Sequence, residues 1–258
     1  MTISQHTRER SDDAPVLAVK GLRKEFGGVV ALNHVDLEIM SGEIVGIVGP
    51  NGAGKTTLFN CIMGRHNPTD GTVTLNGNNI TGLPTQSIVH RGLSCTFQIP
   101  RVFPDLTVAE NMEIYQSHQS ESILKTIFKR TDESTNDRID DLLSFVDIRD
   151  MKTVAAGSLS TGQQKLLNLG AVLLREPEVV LLDEPTAGVN PKLVQKIKKM
   201  IQTLGQNGQT FVIIEHDMDV VREITDFVYV LANGTNLISG SPEVALNNDE
   251  VLEAYFGE

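Results

Sequence analysis

Apolar positions between Val16 and Val48 come in short runs. VLAV (16–19) is followed by HVDLEI (34–39), in which Val35, Leu37 and Ile39 alternate with polar residues, and then, after a turn at Ser41-Gly42, by the wholly apolar IVGIV (44–48). Alternation predicts strands with one solvated face, and its loss at Ile44 predicts a strand buried on both faces of a sheet. LFNCIMG (58–64) is long enough for a short helix, and PTDG, VTL and the Asn76-Gly77 pair predict a second hairpin. From Val108 to Val154 the period becomes helical, with a surplus of acids between Asp132 and Asp150 that reads as a solvated face. Buried-strand signals return in VVLLD (179–183) and TFVII (210–214), separated by a helix whose Leu193, Ile197, Ile201 and Leu204 form one stripe. FVYVL, a turn at Asn233-Gly234, a short strand and a final helix ending VLEAYFGE complete the pattern. Because strand signals flank the helical stretch, it reads as a lobe inserted into an α/β lobe.

Composition narrows this only a little. The 258 residues include 22 Lys and Arg against 33 Asp and Glu, a net charge of -11, and 40% are hydrophobic, so a large core is available. The acidic surplus argues against gathering nucleic acid or anionic lipid by bulk charge, while leaving local anion sites open. Two cysteines, Cys61 and Cys95, point to a reducing compartment rather than a disulfide scaffold. Trp is absent and Tyr scarce, which weakens readings built on aromatic sugar or base platforms. No run approaches the roughly 20 apolar residues of a spanning helix. The start, MTISQHTRERSDD, is polar with no secretory core, so residues 1–13 are expected to be a disordered lead and the chain soluble or peripheral.

Candidate chemistry begins at GPNGAGKTT, Gly49 to Thr57, which fits G-x-x-x-x-G-K-[ST] between a buried strand and a helix. Phosphates need inward-facing N–H groups, and Gly49, Pro50, Asn51, Gly52, Ala53 and Gly54 supply a mostly small, flexible loop at a helix N-terminus. Lys55 can then reach the β- and γ-phosphates, and the Thr56 hydroxyl is placed for Mg²⁺, with Thr57 beside it. VVLLDE puts Asp183 and Glu184 at the C-terminal end of a second buried strand, where open α/β sheets bind ligands. Asp183 is suited to hold Mg²⁺ through water and Glu184 to polarise an attacking water. TFVIIEHD delivers Glu215, His216 and Asp217 to the same edge, where His216 could donate to a γ-phosphate oxygen.

Together these residues resemble the nucleotide-binding subunit of an ABC transporter. LSTGQ, Leu159 to Gln163, is similar to the family signature LSGGQ and stands between the helical stretch and VVLLDE, as in that family. The resemblance covers the chain from Val16 onward, and EVLEAYFG, AGVNP and IIEHDMDVV look most like the branched-chain and hydrophobic amino acid uptake group. It implies an α/β P-loop NTPase fold of ABC type: a RecA-like nucleotide lobe with an N-terminal antiparallel β-subdomain and an inserted helical subdomain. Residues 14–258 are then a single ABC ATPase domain, with the nucleotide lobe at 14–99 and 157–258, the inserted lobe at 100–156 and its signature helix starting near 160.

Carried over by position, the resemblance implies that Phe26 stacks on adenine. It also implies that Gln98 contacts Mg²⁺ and the attacking water, and that Lys55, Glu184 and His216 are catalytic. Ser160, Gly162 and Gln163 correspond to signature groups facing the γ-phosphate of ATP held by a second cassette, though a plain helix cap explains Ser160 and Gly162 equally well. Arg101, Val102, Phe103 and Pro104 correspond to the surface that receives a permease.

The sequence departs from the family pattern at Thr161, which replaces a signature glycine, and at Asn190, which stands where many members have aspartate. The implied function is an ATP-hydrolysing subunit of an amino acid importer, with ATP and Mg²⁺ as cofactors and a location peripheral to the inner face of the cell membrane. Its implied partners are a second ABC ATPase chain, two integral membrane permease subunits and, indirectly, an external substrate-binding protein. An exporter subunit remains an alternative, and so does a soluble nucleic-acid-associated ATPase, for which Lys192, Lys196, Lys198 and Lys199 would form the basic patch. No stable nucleic acid partner is expected.

Overall fold

The structure is a computed structural model that describes residues 14–96, 102–116 and 133–256. Two of the predicted site residues, Gln98 and Arg101, lie outside the described residues, as does the predicted lead at 1–13. The chain divides into two compact units, one holding residues up to Cys95, Glu178–Glu184 and from Ile201 onward, the other holding Thr96–Pro177 and Pro185–Met200.

The first unit contains two sheets. In the first, β1 (Leu17–Phe26), β2 (Val29–Ile39), β4 (Asp70–Leu75) and β5 (Asn78–Asn79) form an antiparallel array in the order β2-β1-β4-β5. β1 and β2 are longer than the predicted runs, because Gly27 (φ 51°) and Gly28 (φ 90°) close a tight hairpin that joins them. Register shifts between Val19 and Glu25 break the alternation there, which hides the outer half of the hairpin from a period-two reading. Asn76 and Gly77, with φ of 49° and 72°, make the predicted second turn.

The other sheet has the order β10-β9-β3-β8-β7-β6, from β3 (Ile44–Val48), β6 (Leu93–Cys95), β7 (Val179–Asp183), β8 (Thr210–Ile214), β9 (Phe227–Ala232) and β10 (Thr235–Gly240). All neighbours are parallel except β9 and β10, which meet at the Asn233-Gly234 turn. β3 and β8 are buried at every position, as wholly apolar strands covered on both faces must be. Around this sheet the unit carries α1 (Lys55–Ile62) and α2 (Thr85–His90), while β6 and β7 lie side by side although residues 96–177 separate them in sequence. The predicted final helix is two short ones.

In the second unit, α3 (Val108–Gln116) and α4 (Glu133–Phe145) pack on α5 (Thr161–Leu173), which is buried at every position from Leu166 to Leu173. The packing of α5 on α3 and α4 groups residues 157–177 with the helical unit, a different division from a lobe ending at 156. α6 (Pro191–Gln206) passes from this unit into the first at Met200/Ile201, with Ile197 and Ile201 of its predicted stripe buried. The first unit closes with α7 (Met218–Ile224), α8 (Pro242–Leu246) and α9 (Asp249–Phe256).

Two cross-links tie the sheets of the first unit together. The Tyr229 hydroxyl on β9 accepts from the Glu38 N–H and donates to the Glu38 carbonyl on β2, each at 3.0 Å, and Asn236 pairs in the same two-ended way with the Asp36 backbone at 2.8 and 2.9 Å. One hydroxyl here satisfies two backbone groups, so Tyr229→Phe should lower unfolding free energy by about 1–2 kcal/mol in urea titrations, with the slope unchanged.

Candidate active site

IVGIV becomes the central strand because it can be covered on both sides, and its C-terminal end is where the phosphate loop starts. A Cβ at Gly49 would run into the Leu231 carbonyl oxygen of β9, and one at Gly54 would stand 2.8 Å from the Ala31 carbonyl. Both glycines therefore let the loop lie against neighbouring strands. Gly52 (φ 80°) forms an open tip, where an added methyl would meet nothing within 4 Å, while Ala53 is buried. Gly54, in left-handed conformation, starts α1 without any side-chain cap, and the first turn of the helix contains no acid. Its leading N–H groups and the positive end of its dipole are thus left for an external anion, and Thr56 is exposed on that first turn. Thr57 is half-buried beside it.

Lys55 folds back over this loop, donating to the Gly49 carbonyl at 2.5 Å and the Pro50 carbonyl at 3.0 Å. Burial lowers the pKa of its ammonium, and the nearby Glu184 and Asp183 carboxylates pull it back up. The structure thus brings together the phosphate-loop cation and both acids at the end of β7.

Asp183 is the last residue of β7 and half-buried. Glu184 follows with its N–H bonded to the Ile214 carbonyl at 2.9 Å and its backbone at φ 47°, a conformation rare for a residue with a side chain, which turns the chain away from the sheet. His216 Nδ1 lies 3.8 Å from Glu184 Oε1 and 3.9 Å from Glu215 Oε2, beyond hydrogen-bond reach of either. The imidazole is 59% exposed and the Glu184 side chain 24%, so both are open to a ligand.

Three features here were not evident from sequence. Glu215 is completely buried and its carboxylate accepts from the His216 N–H at 3.3 Å, so it lies beneath the histidine rather than at the surface. Asp217 is the N-cap of α7, accepting from the Asp219 and Val220 N–H groups at 3.0 and 3.2 Å, a structural task. Tyr255 of α9 packs with Val48 in the same apolar cluster. Its hydroxyl is buried without a hydrogen-bond partner among the described residues, and burial pushes its pKa up to about 12. The Gly49 backbone exerts a smaller opposing pull on that hydroxyl without reaching hydrogen-bonding geometry. Depth and helix docking produce the first and third of these, and neither is written in a local pattern, whereas the Asp217 cap is local, an aspartate directly before the helical run MDVVREI.

Phe26 ends β1, exposed, with the Lys24 ammonium 4.6 Å from its ring centroid and the His66 ring edge-on at 5.2 Å. Cys61 is buried in α1, which pushes its thiol up to about 11, and Cys95 accepts from Arg65 at 3.1 Å.

In the second unit, Ser160 is the N-cap of α5 in a reciprocal capping box. Its Oγ accepts from the Gln163 N–H at 3.3 Å and donates to Gln163 Oε1 at 3.0 Å, and Oε1 also accepts from the Ser160 N–H at 2.9 Å. A Cβ at Gly162 would strike Leu193 of α6. Thr161 is exposed in the first helical position. Asn190 caps α6, its Oδ1 accepting from the Leu193 N–H at 3.0 Å with Pro191 as the first helical residue.

Val102 is half-buried, and Phe103 and Pro104 are exposed, on a loop pinned by the buried Asn111. Its amide accepts from the Phe103 N–H at 2.8 Å and donates to the Phe103, Leu106 and Thr107 carbonyls. Of the lysines that would make a basic patch, Lys198 is buried and Lys196 pairs with Asp147 at 2.5 Å, leaving little of a nucleic-acid face.

Strand order, phosphate loop and the acids at the ends of β7 and β8 define a P-loop nucleotide-binding protein. Residues 32–187 match the family model described as ABC transporter. The chain is 41% identical over 251 residues to the high-affinity branched-chain amino acid transport ATP-binding protein LivG of Salmonella typhimurium, covering 95% of this chain and 98% of that one. A crystal structure of an ATP-binding cassette of an ABC transporter in its ADP conformation superposes with a TM-score of 0.85 at 33% identity, covering 95% of this chain and all of that one. A dimeric ATP-binding cassette in a post-hydrolysis state, bound to ADP and Pi, superposes at 0.73 with 26% identity over 88% of this chain and 98% of that one. The chain belongs to the ABC transporter family, as its nucleotide-binding cassette, an ATPase.

The two loop glycines separate packing from reach. Gly52→Ala should cost about 1–2 kcal/mol through left-handed strain alone, whereas Gly49→Ala, which also drives a methyl into Leu231, should cost about 3 kcal/mol or more in chemical unfolding.

Proposed function

We propose that this cassette is the ATP-hydrolysing, energy-coupling subunit of an importer for branched-chain or related amino acids. The observation that carries the reading is the meeting of the uncapped α1 N-terminus and Lys55 with Asp183, Glu184 and His216 at the ends of parallel strands. The N–H groups from Gly49 to Thr57 hold the β- and γ-phosphates, with Lys55 exchanging its two loop carbonyls for phosphate oxygens. No group of three or more His, Cys, Asp or Glu is gathered as a metal cage among the described residues. Thr56 and Asp183 suit Mg²⁺, which characteristically takes one or two protein oxygens plus phosphate oxygens and neutralises the charge on them. Gln98 would join them there.

Glu184 accepts the proton of the water whose oxygen attacks the γ-phosphorus; the bond to the β-phosphate oxygen breaks, and ADP and inorganic phosphate result. His216, exposed beside Glu184 and with its backbone N–H held by the Glu215 carboxylate, contacts the γ-phosphate and registers its loss. Phe26 stacks on the adenine base.

The chain has one phosphate loop and one signature, so two complete sites need a second cassette, in keeping with the dimeric relative. Ser160, Gly162 and Gln163 of one chain then face the γ-phosphate on the other. Arg101, Val102, Phe103 and Pro104 meet two membrane permeases, which take substrate from an external binding protein. Among the described residues no helix is long and apolar enough to cross a membrane, and the cassette reaches the inner face of the membrane through those subunits. Likeness to LivG over nearly the full length supports import of branched-chain amino acids over the export reading.

Glu184→Gln should lower steady-state ATP hydrolysis by about a hundredfold or more while leaving ATP binding intact. On size-exclusion chromatography with ATP and Mg²⁺ it should run as a dimer; a monomer under those conditions would count against the two-site assembly. Cells lacking this cassette should lose uptake of leucine, isoleucine and valine and regain it with the wild-type chain but not with Lys55→Ala; uptake undiminished by loss of the cassette would remove the substrate assignment.

A further inference from the structure

Around Phe26 the structure holds more than an exposed ring. The ring, 42% exposed, ends β1 beside the Gly27-Gly28 turn. The Lys24 ammonium stands over it, 4.6 Å from the centroid, and is tethered to the Asn67 carbonyl at 2.9 Å. His66 meets its edge at 5.2 Å with the planes 80° apart. Both His66 and Asn67 belong to the segment that follows α1. That segment is stitched to α1 by the Arg65 and His66 N–H groups on the Asn60 carbonyl (2.8 and 3.1 Å). It is stitched to β1 by the Thr69 N–H on the Arg23 carbonyl (2.7 Å) and the Glu25 N–H on Thr69 Oγ1 (3.0 Å).

An exposed phenylalanine ordinarily samples several rotamers, and a ligand stacking on it must bear the cost of ordering it. Here a cation covers one face and an aromatic edge braces the rim, both attractive contacts of known geometry. The ring is ordered in advance, and its exposed surface is left for a flat ligand to stack on. Because the bracing segment grows out of α1, a continuous set of hydrogen bonds joins the aromatic platform to the phosphate-binding helix. We propose that Lys24 and His66 are positioning residues that hold Phe26 as a one-sided platform for the purine base, with the Lys24 ammonium backing the ring. The proposal rests on the reading of Phe26 as the base platform.

The test measures binding of a fluorescent ribose-labelled ATP, and of inorganic tripolyphosphate, which has no base, to the full chain and to four variants. Phe26→Ala should weaken the ATP analogue about tenfold and Lys24→Met about two- to fivefold. Lys24→Arg should retain affinity because it keeps the cation over the ring, and His66→Leu should fall between wild type and Phe26→Ala. Tripolyphosphate binding should be the same in all five proteins. Wild-type affinity in Phe26→Ala would overturn the base-platform reading itself. A weakened Phe26→Ala with unchanged or tighter binding in Lys24→Met would overturn the proposal alone, tighter binding meaning that Lys24 occupies the face the base needs. A parallel loss of tripolyphosphate affinity in Lys24→Met would also overturn it, since the lysine would then act on phosphate.

Discussion

Ile214 pairs with Ile47 on one side and with Asp183 on the other, and the chemistry of the first unit hangs on that double register. The Glu184 N–H closes on the Ile214 carbonyl and the Glu215 N–H reaches the Ile47 carbonyl, so three strands stop at one level. What leaves them there is the phosphate loop from β3, the two acids from β7 and the Glu-His pair from β8. A slip of one residue in β8 would turn His216 inward and send Glu215 out, because successive side chains take opposite faces. Wholly apolar strands resist such a slip only weakly by pattern. Resistance comes from the start of the strand, where Thr210 Oγ1 accepts from the Gly42 N–H and the Phe211 N–H donates to the Glu43 carbonyl, each at 2.9 Å.

That level edge also explains the electrostatics. Lys55 is partly buried yet stays attracted to Asp183 and Glu184, and it rests on carbonyls of its own loop. An ammonium held this way is already satisfied, so transferring it to a phosphate exchanges one set of acceptors for another without exposing an uncompensated charge. The same economy recurs in the second unit, where Ser160 and Gln163 satisfy each other around the start of α5. A helix cap and a ligand-facing hydroxyl are thus compatible readings of one residue, since the side chain that closes the cap can also open it.

How much of this is legible in the sequence depends on range. The phosphate loop, the apolar strands and the acids after β7 are local patterns with local causes, and Asn76-Gly77 and Asn233-Gly234 declare their turns outright. The outer half of the β1–β2 hairpin is hidden because bulges interrupt its alternation, although Gly27-Gly28 marks its tip. Glu215 and Asp217 look like equal partners of His216 until depth is known; one is fully buried, the other is spent on a helix cap. Lys198 reads as a solvated charge in its lysine-rich run, and only packing reveals that it is covered. Tyr255 and Tyr229 carry no sequence signal for their roles, because each meets residues about two hundred positions away that only the fold brings close.

The strand order has a consequence for how the molecule is made. β3 leaves the ribosome early, but its two neighbours, β8 and β9, are encoded after more than half of the chain has followed. The antiparallel sheet can partly assemble from nearby segments, since β1, β2 and β4 are close in sequence. IVGIV must meanwhile wait, apolar on every side, while the helical unit is synthesised. Nascent chains therefore pass through a long interval in which a wholly apolar strand is finished and its partners do not yet exist, and for that interval the segment is open to off-pathway association.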